Sequence, residues 1–156
     1  RQVSSAASDV YKRQNQYAAA GDKTLIDQLR GGNNYRTGNW QGYREDLNVI
    51  VDISKVKKIN SISLGCHQDV RSWIFYPKQV NYWSSIDGKN YTYQGKVLAN
   101  FPDNIEGSMQ KNFKLNVTNL NARYIKIKAE NYGVCPDWHL GAGGKTWIFV
   151  DEITIK

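Results

Sequence analysis

The sequence has few of the residues that mark metal-binding scaffolds, disulfide-rich domains or membrane spans. Its two cysteines, Cys66 and Cys135, form neither a C-x-x-C pair nor a zinc-ligand spacing. No run of about 18 apolar residues is present, so no segment has the pattern of a membrane-spanning helix. There is also no run of five like charges, so the net charge of +7 is spread along the chain. These absences argue against a zinc domain, a membrane-spanning protein and a basic nucleic-acid-binding tail.

The few cysteines leave two interpretations open. Cys66 alternates with Ile62 and Leu64, which is typical of a buried thiol on the inner face of a strand. A disulfide between Cys66 and Cys135 is the alternative. The sequence does not decide between them, because a disulfide depends on the distance and direction of the two side chains.

Helical periodicity is the next absence, since no segment longer than about ten residues shows it. Alternation of apolar and polar residues predicts strands instead, most clearly over 124–129, where Ile125, Ile127 and Ala129 face one way. Similar alternation covers 49–53, 62–66, 80–84 and 113–117, and the chain closes with an apolar segment over 147–155. Asp87-Gly88 between two such segments predicts a hairpin.

Many short strands without helices predict an all-β fold, an antiparallel sandwich or barrel. Residues 1–14 lack this alternation, and we interpret them as a leader, a linker or a non-native extension. The folded domain is therefore predicted to span residues 15–156. We expect the chain to be a mature or excised part of a longer secreted protein, because no signal-peptide pattern is visible.

Aromatic residues are abundant, with five Trp and ten Tyr against four Phe. Trp and Tyr combine an apolar ring with a polar group, which suits a wet binding surface, although exposed sheet faces also use them. Three long predicted connections, 31–47, 66–78 and 130–146, hold many of these rings. Long aromatic loops on a rigid sandwich are a common place for a binding site.

The residue strings in these loops resemble a known family. The strings are KTLIDQLRGG, RTGNWQGY, HQDVRSWIFYPKQVNYWSSIDGKNY, ARYIKIKAENYG and PDWHLGAGGKTWIFVDEI. The chain resembles an F5/8 type C (discoidin-like) domain, above all the module found C-terminal to bacterial family-20 β-hexosaminidases. It is also similar to family-32 carbohydrate-binding modules. The resemblance implies a jelly-roll β-sandwich of about eight strands with galactose-binding-like topology, a ligand site in the loops at one end, and a structural calcium ion.

A sugar site needs an aromatic ring for the apolar C–H face of a pyranose and polar side chains for its hydroxyls. The long loops supply candidates of both kinds, and three alternatives stay open. Trp40 would alternatively plug the end of the core, Gln68 and Asp69 would cap loop amides, and Arg71 would pair with Asp69 or Asp137. The predicted ligand-binding residues are Trp40, Tyr43, His67, Gln68, Asp69, Arg71, Trp73, Asp137, Trp138 and His139.

The calcium site is implied by the resemblance. Asp27 matches the family's calcium aspartate by position, and Glu152 matches its C-terminal glutamate. Backbone oxygens around Leu25, Arg30 and Gly32 would complete the shell, as suits the oxygen preference of Ca²⁺. Glu152 shares a predicted strand face with Ile148 and Val150, where a carboxylate without a partner is costly. The alternatives are a capping role for Asp27 and a salt bridge for Glu152.

Together these observations predict a non-catalytic module that targets a covalently attached extracellular glycoside hydrolase to glycans. Its expected ligand is the non-reducing end of a mono- or oligosaccharide, with galacto-configured or N-acetylhexosamine sugars favoured. We expect a bacterial protein that is secreted, periplasmic or on the cell surface, and a monomer that does not bind nucleic acid. The alternatives are a structural spacer packed on a catalytic domain, or phospholipid binding by the apolar segments 73–76 and 147–149. Catalysis by Asp69 and Asp137 is disfavoured, because no catalytic motif accompanies them.

Overall fold

The structure, a computed structural model, describes residues 5–8 and 40–156, and of residues 5–8 only the backbone. Strands dominate the described residues, with a single 3₁₀ turn at Val70–Ser72. All strand pairs are antiparallel. The strands are β1 (Ser5–Ser8), β2 (Gln41–Tyr43), β3 (Leu47–Gln68), β4 (Gln79–Ser85), β5 (Thr92–Leu98), β6 (Met109–Ala129) and β7 (Ile148–Ile155).

Two long strands, β3 and β6, run through both halves of the domain. Their pairing shifts register between Asp52 and Lys57, which divides each strand into two paired segments. Ser54 has a positive φ of 80° at this corner. Arg123 donates to both carboxylate oxygens of Asp52, at 2.9 and 3.0 Å. This fork clamps the corners of β3 and β6 together and lowers the pKa of Asp52 below its ordinary value.

The two paired segments belong to two layers of strands. The first layer is built around the pairing of residues 47–52 of β3 with residues 124–129 of β6. Strand β1 pairs with this part of β3, β4 pairs with this part of β6, and β5 pairs with β4. Residues 57–68 of β3 and 109–122 of β6 form the second layer with β7 and β2. Buried residues of both layers, such as Val51 and Leu64, pack in one core cluster. This arrangement is an antiparallel β-sandwich, which confirms the predicted fold class, with seven strands in the described residues.

The hairpin predicted at Asp87-Gly88 is confirmed, since β4 pairs with β5 across this turn. The Asp87 carboxylate accepts hydrogen bonds from the amides of Lys89 and Asn90 at 2.8 and 2.9 Å, and these bonds lower its pKa. Gly88 has a φ of 76°, which suits glycine at this position.

Two predicted strand divisions differ from the structure. The segments 49–53 and 62–66 are one strand, β3, and the segments 113–117 and 124–129 are one strand, β6. A bend in a continuous strand and a loop both interrupt the alternation of apolar and polar residues. The sequence pattern therefore divides each of these strands into two segments. The structure also pairs Ser5–Ser8 with β3. These residues belong to the segment 1–14, which is predicted from the sequence to lie outside the folded domain. The origin of residues 1–14 stays a prediction.

Both cysteines are free and buried, so the disulfide alternative was wrong. Cys66 packs in the main core between the layers, and Cys135 packs in a separate cluster with Val70 and Phe75. The predicted buried thiol at Cys66 is confirmed. In the part of the chain that the structure describes, no helix has the length and apolarity needed to cross a membrane.

Candidate functional site

Three loops meet at one end of the sandwich, and the first follows β3. Asp69 bridges to Ile74 through backbone hydrogen bonds, which closes the loop over the 3₁₀ turn. Trp73 ends that turn with a φ of 64°, and its amide donates to the carbonyl of Val70. A left-handed backbone costs a bulky residue of the order of 1–3 kcal/mol, and such strain clusters at functional sites. The loop therefore holds the Trp73 ring in a set direction.

The second loop, residues 130–147, is built on its own hydrogen bonds. Asn131 organises its base, because its side-chain oxygen accepts from the Gly133 amide at 2.7 Å and from the Thr146 hydroxyl at 2.7 Å. Further along, the Cys135 amide donates to the Gly144 carbonyl at 2.8 Å. These bonds satisfy an irregular backbone and make the loop a rigid support for its side chains.

A cavity of about 460 Å³ opens between these loops. This volume is in the range of about 300–1,000 Å³ that is usual for small-ligand sites. Aromatic, apolar and charged side chains share its wall. The lining residues are Val70, Arg71, Trp73, Glu106, Trp138, His139 and Leu140.

The Trp73 ring lies flat against two glycines of the second loop. A Cβ atom added to Gly141 would lie 2.4 Å from Cζ2 of Trp73, and one added to Gly144 would lie 2.6 Å from Cζ3. Contacts this short do not occur, so any side chain at either position would displace the indole. The Gly-rich sequence of this loop is therefore what lets Trp73 form part of the cavity wall.

His139 is a structural member of the cavity. Its Nδ1 accepts a hydrogen bond from the Gly141 amide at 2.8 Å, which places the ring proton on Nε2. Nε2 donates that proton to the carbonyl of Val70. Both nitrogens are thus engaged, and the side chain is 8% exposed. The predicted hydrogen bond from His139 to a ligand is therefore corrected: His139 joins the two loops and presents only its ring.

Trp138 and Leu140 are the exposed apolar side chains of the cavity. Trp138 is 49% exposed and lies edge-on to the His139 ring, with the two centroids 5.7 Å apart. Leu140 is fully exposed to solvent. A half-exposed indole beside a cavity is a surface on which a flat apolar ligand face stacks.

An ion pair supplies the polar part of the wall. Nη2 of Arg71 lies 3.2 Å from a carboxylate oxygen of Glu106, and both side chains are largely exposed. The pairing of Arg71 with Asp69 or Asp137 is thereby corrected. Glu106 was not predicted from the sequence, because it lies on a third loop, residues 99–108, that lacks Trp and His.

Further contacts fix the third loop to the other residues at this end of the sandwich. The hydroxyl of Tyr132 donates to Asp103, and the side chain of Gln68 donates to the carbonyl of Pro102 at 3.4 Å. Phe101 meets the Tyr76 ring edge-on, with the centroids 5.6 Å apart. These contacts hold Glu106 at the mouth of the cavity.

Two predicted aromatic platforms lie in the interior. Trp40 is 1% exposed and packs with Ile74 and Phe149, which matches the alternative of a plug at the end of the core. Tyr43 is fully buried, and its hydroxyl donates to the Gln41 side chain at 2.7 Å. Their prediction as ligand contacts is corrected, because buried rings present no face to a ligand.

His67 and Gln68 are also interior residues. His67 is buried beside Trp40, and its Nε2 lies 3.1 Å from the hydroxyl of Ser108. Burial lowers the pKa of His67 below its ordinary value of 6.5, and the Asp69 carboxylate offsets part of this effect. Gln68 accepts a hydrogen bond from the Tyr76 amide at 3.1 Å, so its role is the capping alternative.

The remaining predicted residues divide around the cavity. Arg71, Trp73 and Trp138 line it, whereas Asp69 and Asp137 are not among the lining residues. Asp69 is half-buried at the start of the 3₁₀ turn, and Asp137 is exposed. The exposed state of Asp137 leaves its contact with a ligand a prediction.

The calcium prediction falls mostly outside the described residues, where Leu25, Asp27, Arg30 and Gly32 lie. Glu152 is described, and it is 3% exposed in β7. Asp151 and Glu152 together lie opposite the single residue Gly65, which is a β-bulge, so the alternation from which the face of Glu152 was predicted is interrupted there. The bulge shifts the alternation, so Ile153 follows Val150 on the core side. A buried carboxylate is a fitting oxygen donor for Ca²⁺, although residues 5–8 and 40–156 contain no complete metal-binding cluster.

Comparison with known families identifies the chain over nearly its whole length. The family model described as F5/8 type C domain matches residues 3–151, which confirms the resemblance found in the sequence. No curated protein sequence matches the chain significantly.

Solved structures share its fold at low sequence identity. A pectin-binding carbohydrate-binding module has 17% identity and a TM-score of 0.61, over 99% of this chain and 91% of that chain. A family-32 carbohydrate-binding module of a GH31 protein, bound to GalNAc, has 10% identity and a TM-score of 0.62, over 99% and 98%. The C-terminal domain of a chitobiase from Bacteroides fragilis has 20% identity and a TM-score of 0.54, over 100% and 95%. At these identities the likeness establishes the jelly-roll fold.

Proposed function

Because the chain belongs to the F5/8 type C domain family, we propose that it is a non-catalytic carbohydrate-binding module. The observation that carries this proposal is the loop cavity, in which two indole rings lie beside the Arg71–Glu106 ion pair. A sugar needs these two elements together, an apolar ring for its C–H face and polar groups for its hydroxyls.

The polar groups suit neighbouring hydroxyls of a terminal sugar. Arg71 only donates hydrogen bonds and Glu106 as a carboxylate only accepts them, so the pair serves both roles of a hydroxyl. Leu140 offers an exposed apolar contact for the methyl group of an acetamido substituent. This contact favours an N-acetylhexosamine at the non-reducing end, and the galacto configuration is proposed from the family resemblance alone.

The cavity is poorly equipped for catalysis. Glycoside hydrolysis commonly uses a pair of carboxylic acids across the scissile bond. Among the described residues that line the cavity, Glu106 is the single carboxylate, and it is paired with Arg71. Both nitrogens of His139 are engaged in holding the loops. We therefore propose that the module binds its ligand without transforming it.

The proposed biological role is to hold an attached extracellular glycoside hydrolase near its glycans. One solved structure of the same fold is the C-terminal domain of a chitobiase, and another is a module bound to GalNAc. Those facts belong to the other proteins and support the proposal by analogy of fold. A structural spacer without a ligand remains the alternative against which the proposal is tested.

The decisive experiment measures sugar binding by matched aromatic variants. Trp138→Ala removes a ring that is 49% exposed at the cavity, and Tyr93→Ala removes one that is 50% exposed on β5, away from the cavity. A glycan array followed by calorimetry should show binding of the wild type and Tyr93→Ala to a defined set of terminal sugars. Trp138→Ala should bind about tenfold more weakly or not at all, since aromatic contacts contribute about 1 kcal/mol or more. Failure of the folded wild type to bind any glycan would favour the spacer.

Calcium is proposed as a structural ion near Glu152. Ca²⁺ that binds only the folded chain raises the free energy of unfolding by mass action. The wild type should therefore melt at a higher temperature with Ca²⁺ than with EDTA, and Glu152→Gln should lose that increment. Glu106→Gln, an exposed carboxylate elsewhere, should retain it. An increment that survives in Glu152→Gln would remove Glu152 from the site.

Lipid binding is a second candidate because Leu140 is fully exposed beside Trp138. The segments first predicted as lipid-binding tips are unsuitable, since Ile74, Phe75 and Phe149 are buried. Sedimentation with phosphatidylcholine and phosphatidylserine vesicles separates the two candidates. Vesicle binding that Leu140→Ala abolishes would favour lipid, whereas the sugar-binding proposal expects no sedimentation.

A further inference from the structure

The outer face of the second layer carries a hollow that is separate from the loop cavity. Its volume is about 260 Å³, and its lining consists of hydroxyl, amide and ammonium side chains. We call it the serine hollow, and it is lined by Ser61, Ser63, Asn112, Lys114, Thr154 and Lys156.

Strand register places these side chains side by side. Ser63 of β3 lies between Thr154 of β7 and Lys114 of β6, in one row across three strands. Ser61 and Lys156 form the next row, joined by backbone hydrogen bonds of 3.0 Å in both directions. Rows on the same face are about 7 Å apart and neighbouring strands about 4.8 Å apart. The hydroxyls and both ammonium stems therefore surround one small space.

The alternation that builds the core also builds this face. Ile62, Leu64 and Ile155 point into the sandwich, so Ser61, Ser63 and Thr154 occupy the opposite face. Small hydroxyl side chains leave room between the longer lysines that flank them. The hollow is thus a direct result of serine and threonine at the outward positions.

Five of the six side chains that line the hollow have no hydrogen-bond or ion-pair partner among residues 5–8 and 40–156. The hydroxyls of Ser61, Ser63 and Thr154 and the ammonium groups of Lys114 and Lys156 make no hydrogen bond or ion pair with any residue that the structure describes. Ser61 as a whole is only 8% exposed, but its hydroxyl still reaches solvent, so it is open to a partner that enters the hollow.

The charges identify the kind of partner. Two ammonium groups and no carboxylate side chain line the serine hollow. Lys ammonium groups donate hydrogen bonds only, and hydroxyls can donate as well as accept. A small space surrounded by such donors complements a tetrahedral oxyanion, whose oxygens only accept.

We propose that the serine hollow binds a tetrahedral oxyanion, presented as the sulfate ester of a sulfated glycan. Lys114 and Lys156 supply the positive charge, and Ser61, Ser63 and Thr154 supply the hydroxyl donors. The position on the sheet face lets an extended glycan chain reach the hollow without entering the loop cavity. The module would then have two glycan contacts, one for a terminal sugar and one for a charged group.

The test compares charge-matched variants in their binding to chondroitin sulfate and to the same polymer after chemical desulfation. Lys114→Gln/Lys156→Gln removes two charges at the hollow, and Lys55→Gln/Lys58→Gln removes two at the exposed corner of β3. We expect the first variant to bind the sulfated polymer about tenfold more weakly. The affinity of the second variant for the sulfated polymer should fall less than about twofold. None of the proteins should bind the desulfated polymer at this site.

A second pair of variants tests the hydroxyls. Ser61→Ala should weaken binding several-fold, whereas Thr118→Ala, which removes an exposed hydroxyl of β6 outside the hollow, should not. Trp138→Ala should still bind the sulfated polymer more tightly than the desulfated one, which separates this proposal from the loop cavity. Inorganic sulfate and phosphate, titrated alone, distinguish a free anion from an ester as the source.

Three outcomes would overturn the proposal. Equal losses of binding in the two double-lysine variants would assign the binding to net charge. Wild-type affinity in both Ser61→Ala and Lys114→Gln/Lys156→Gln would leave the hollow without a role. Equal binding of sulfated and desulfated polymers would remove the oxyanion. Tight binding of inorganic phosphate that competes with the polymer would keep the site and replace the ester by a free anion.

Discussion

At the scale of single residues, the cavity depends on glycines that make room for an indole. The Trp73 ring contacts the backbone of Gly141 and Gly144 so closely that no Cβ fits between them. His139 then locks the loop by bonding to Gly141 on one side and to Val70 on the other. Trp73 and His139 therefore shape the cavity, whereas Arg71 and Glu106 supply the hydrogen-bonding groups of its wall.

Gly141→Ala should consequently damage both stability and sugar binding. The new methyl group would force the Trp73 ring out of place, and overpacking of this kind costs about 1–3 kcal/mol. Gly143→Ala is the matched control, because its φ of 82° adds backbone strain while no atom lies within 4 Å of the new Cβ. Denaturant unfolding measures the loss of stability. Tryptophan fluorescence should show a displaced indole in Gly141→Ala only. Wild-type fluorescence and affinity in Gly141→Ala would contradict this description.

His67 makes stability depend on pH in a predictable direction. Burial lowers the pKa of His67 in the folded chain below its ordinary value of 6.5. At a pH between the folded-state pKa and 6.5, the unfolded chain therefore binds a proton at this residue that the folded chain does not. Stability from this group is complete above about pH 6.5 and is lost as the pH falls toward the folded pKa, by at most about 1.4 kcal/mol per pH unit. Melting temperatures between pH 7 and pH 5 should fall less steeply in His67→Gln than in the wild type. Ser108→Ala keeps the imidazole and should keep the slope.

At the scale of elements, the loop 99–108 completes a site that the other two loops begin. It has no regular structure, and its position depends on contacts such as the hydrogen bond from Tyr132 to Asp103. The Tyr132 ring also stacks on Phe75, with centroids 4.7 Å apart. Burial and the Asp103 carboxylate raise the pKa of Tyr132 to about 12, so its hydroxyl stays protonated at neutral pH.

Tyr132→Phe should loosen this loop while the stacked ring stays in place. Loss of one hydrogen bond costs about 1 kcal/mol of stability, and sugar affinity should fall because Glu106 is no longer held at the cavity. Tyr93→Phe is the control, since it removes a hydrogen bond to Asn81 at 3.0 Å, and neither residue lines the cavity or belongs to the loop 99–108. Chemical denaturation and calorimetry should show similar stability losses in both variants but weaker sugar binding only in Tyr132→Phe. Equal affinities would show that the loop is held by its other contacts.

At the scale of the whole molecule, stability comes from the packing of the two layers rather than from a covalent link. Cys66 lies in the main core and Cys135 in the loop cluster, and both are free. Burial raises the pKa of Cys135, which further lowers its thiolate fraction.

Neither thiol should therefore react before the chain unfolds. A thiol reagent such as Ellman's should label no cysteine in the native chain and both in denaturant, and a reducing agent should leave the melting temperature unchanged. An absence of labelling in denaturant without reductant would reveal a disulfide. A disulfide would also make the melting temperature fall by the equivalent of about 2–4 kcal/mol on reduction.

The sequence by itself determined the fold class, the hairpin at Asp87-Gly88 and the family. Strand alternation and turn residues are local properties, and the loop strings are specific enough to resemble F5/8 type C domains before any coordinates are considered. Of the predicted ligand-binding residues, Arg71, Trp73 and Trp138 line the cavity, and their contact with a ligand stays a prediction.

Only the tertiary structure decided which loop aromatics face outward and which polar groups meet. Trp40 and Trp138 are the same residue type and were both predicted in loops. Trp40 nevertheless packs in the core with 1% exposure, whereas Trp138 is 49% exposed. Glu106 joins the site from a loop more than 30 residues away from Arg71 along the chain, and the bulge at Glu152 changes the side-chain alternation of β7. The serine hollow likewise exists only because β3, β6 and β7 are in register. Burial and proximity are properties of the packed layers, so a pattern read along one strand does not contain them.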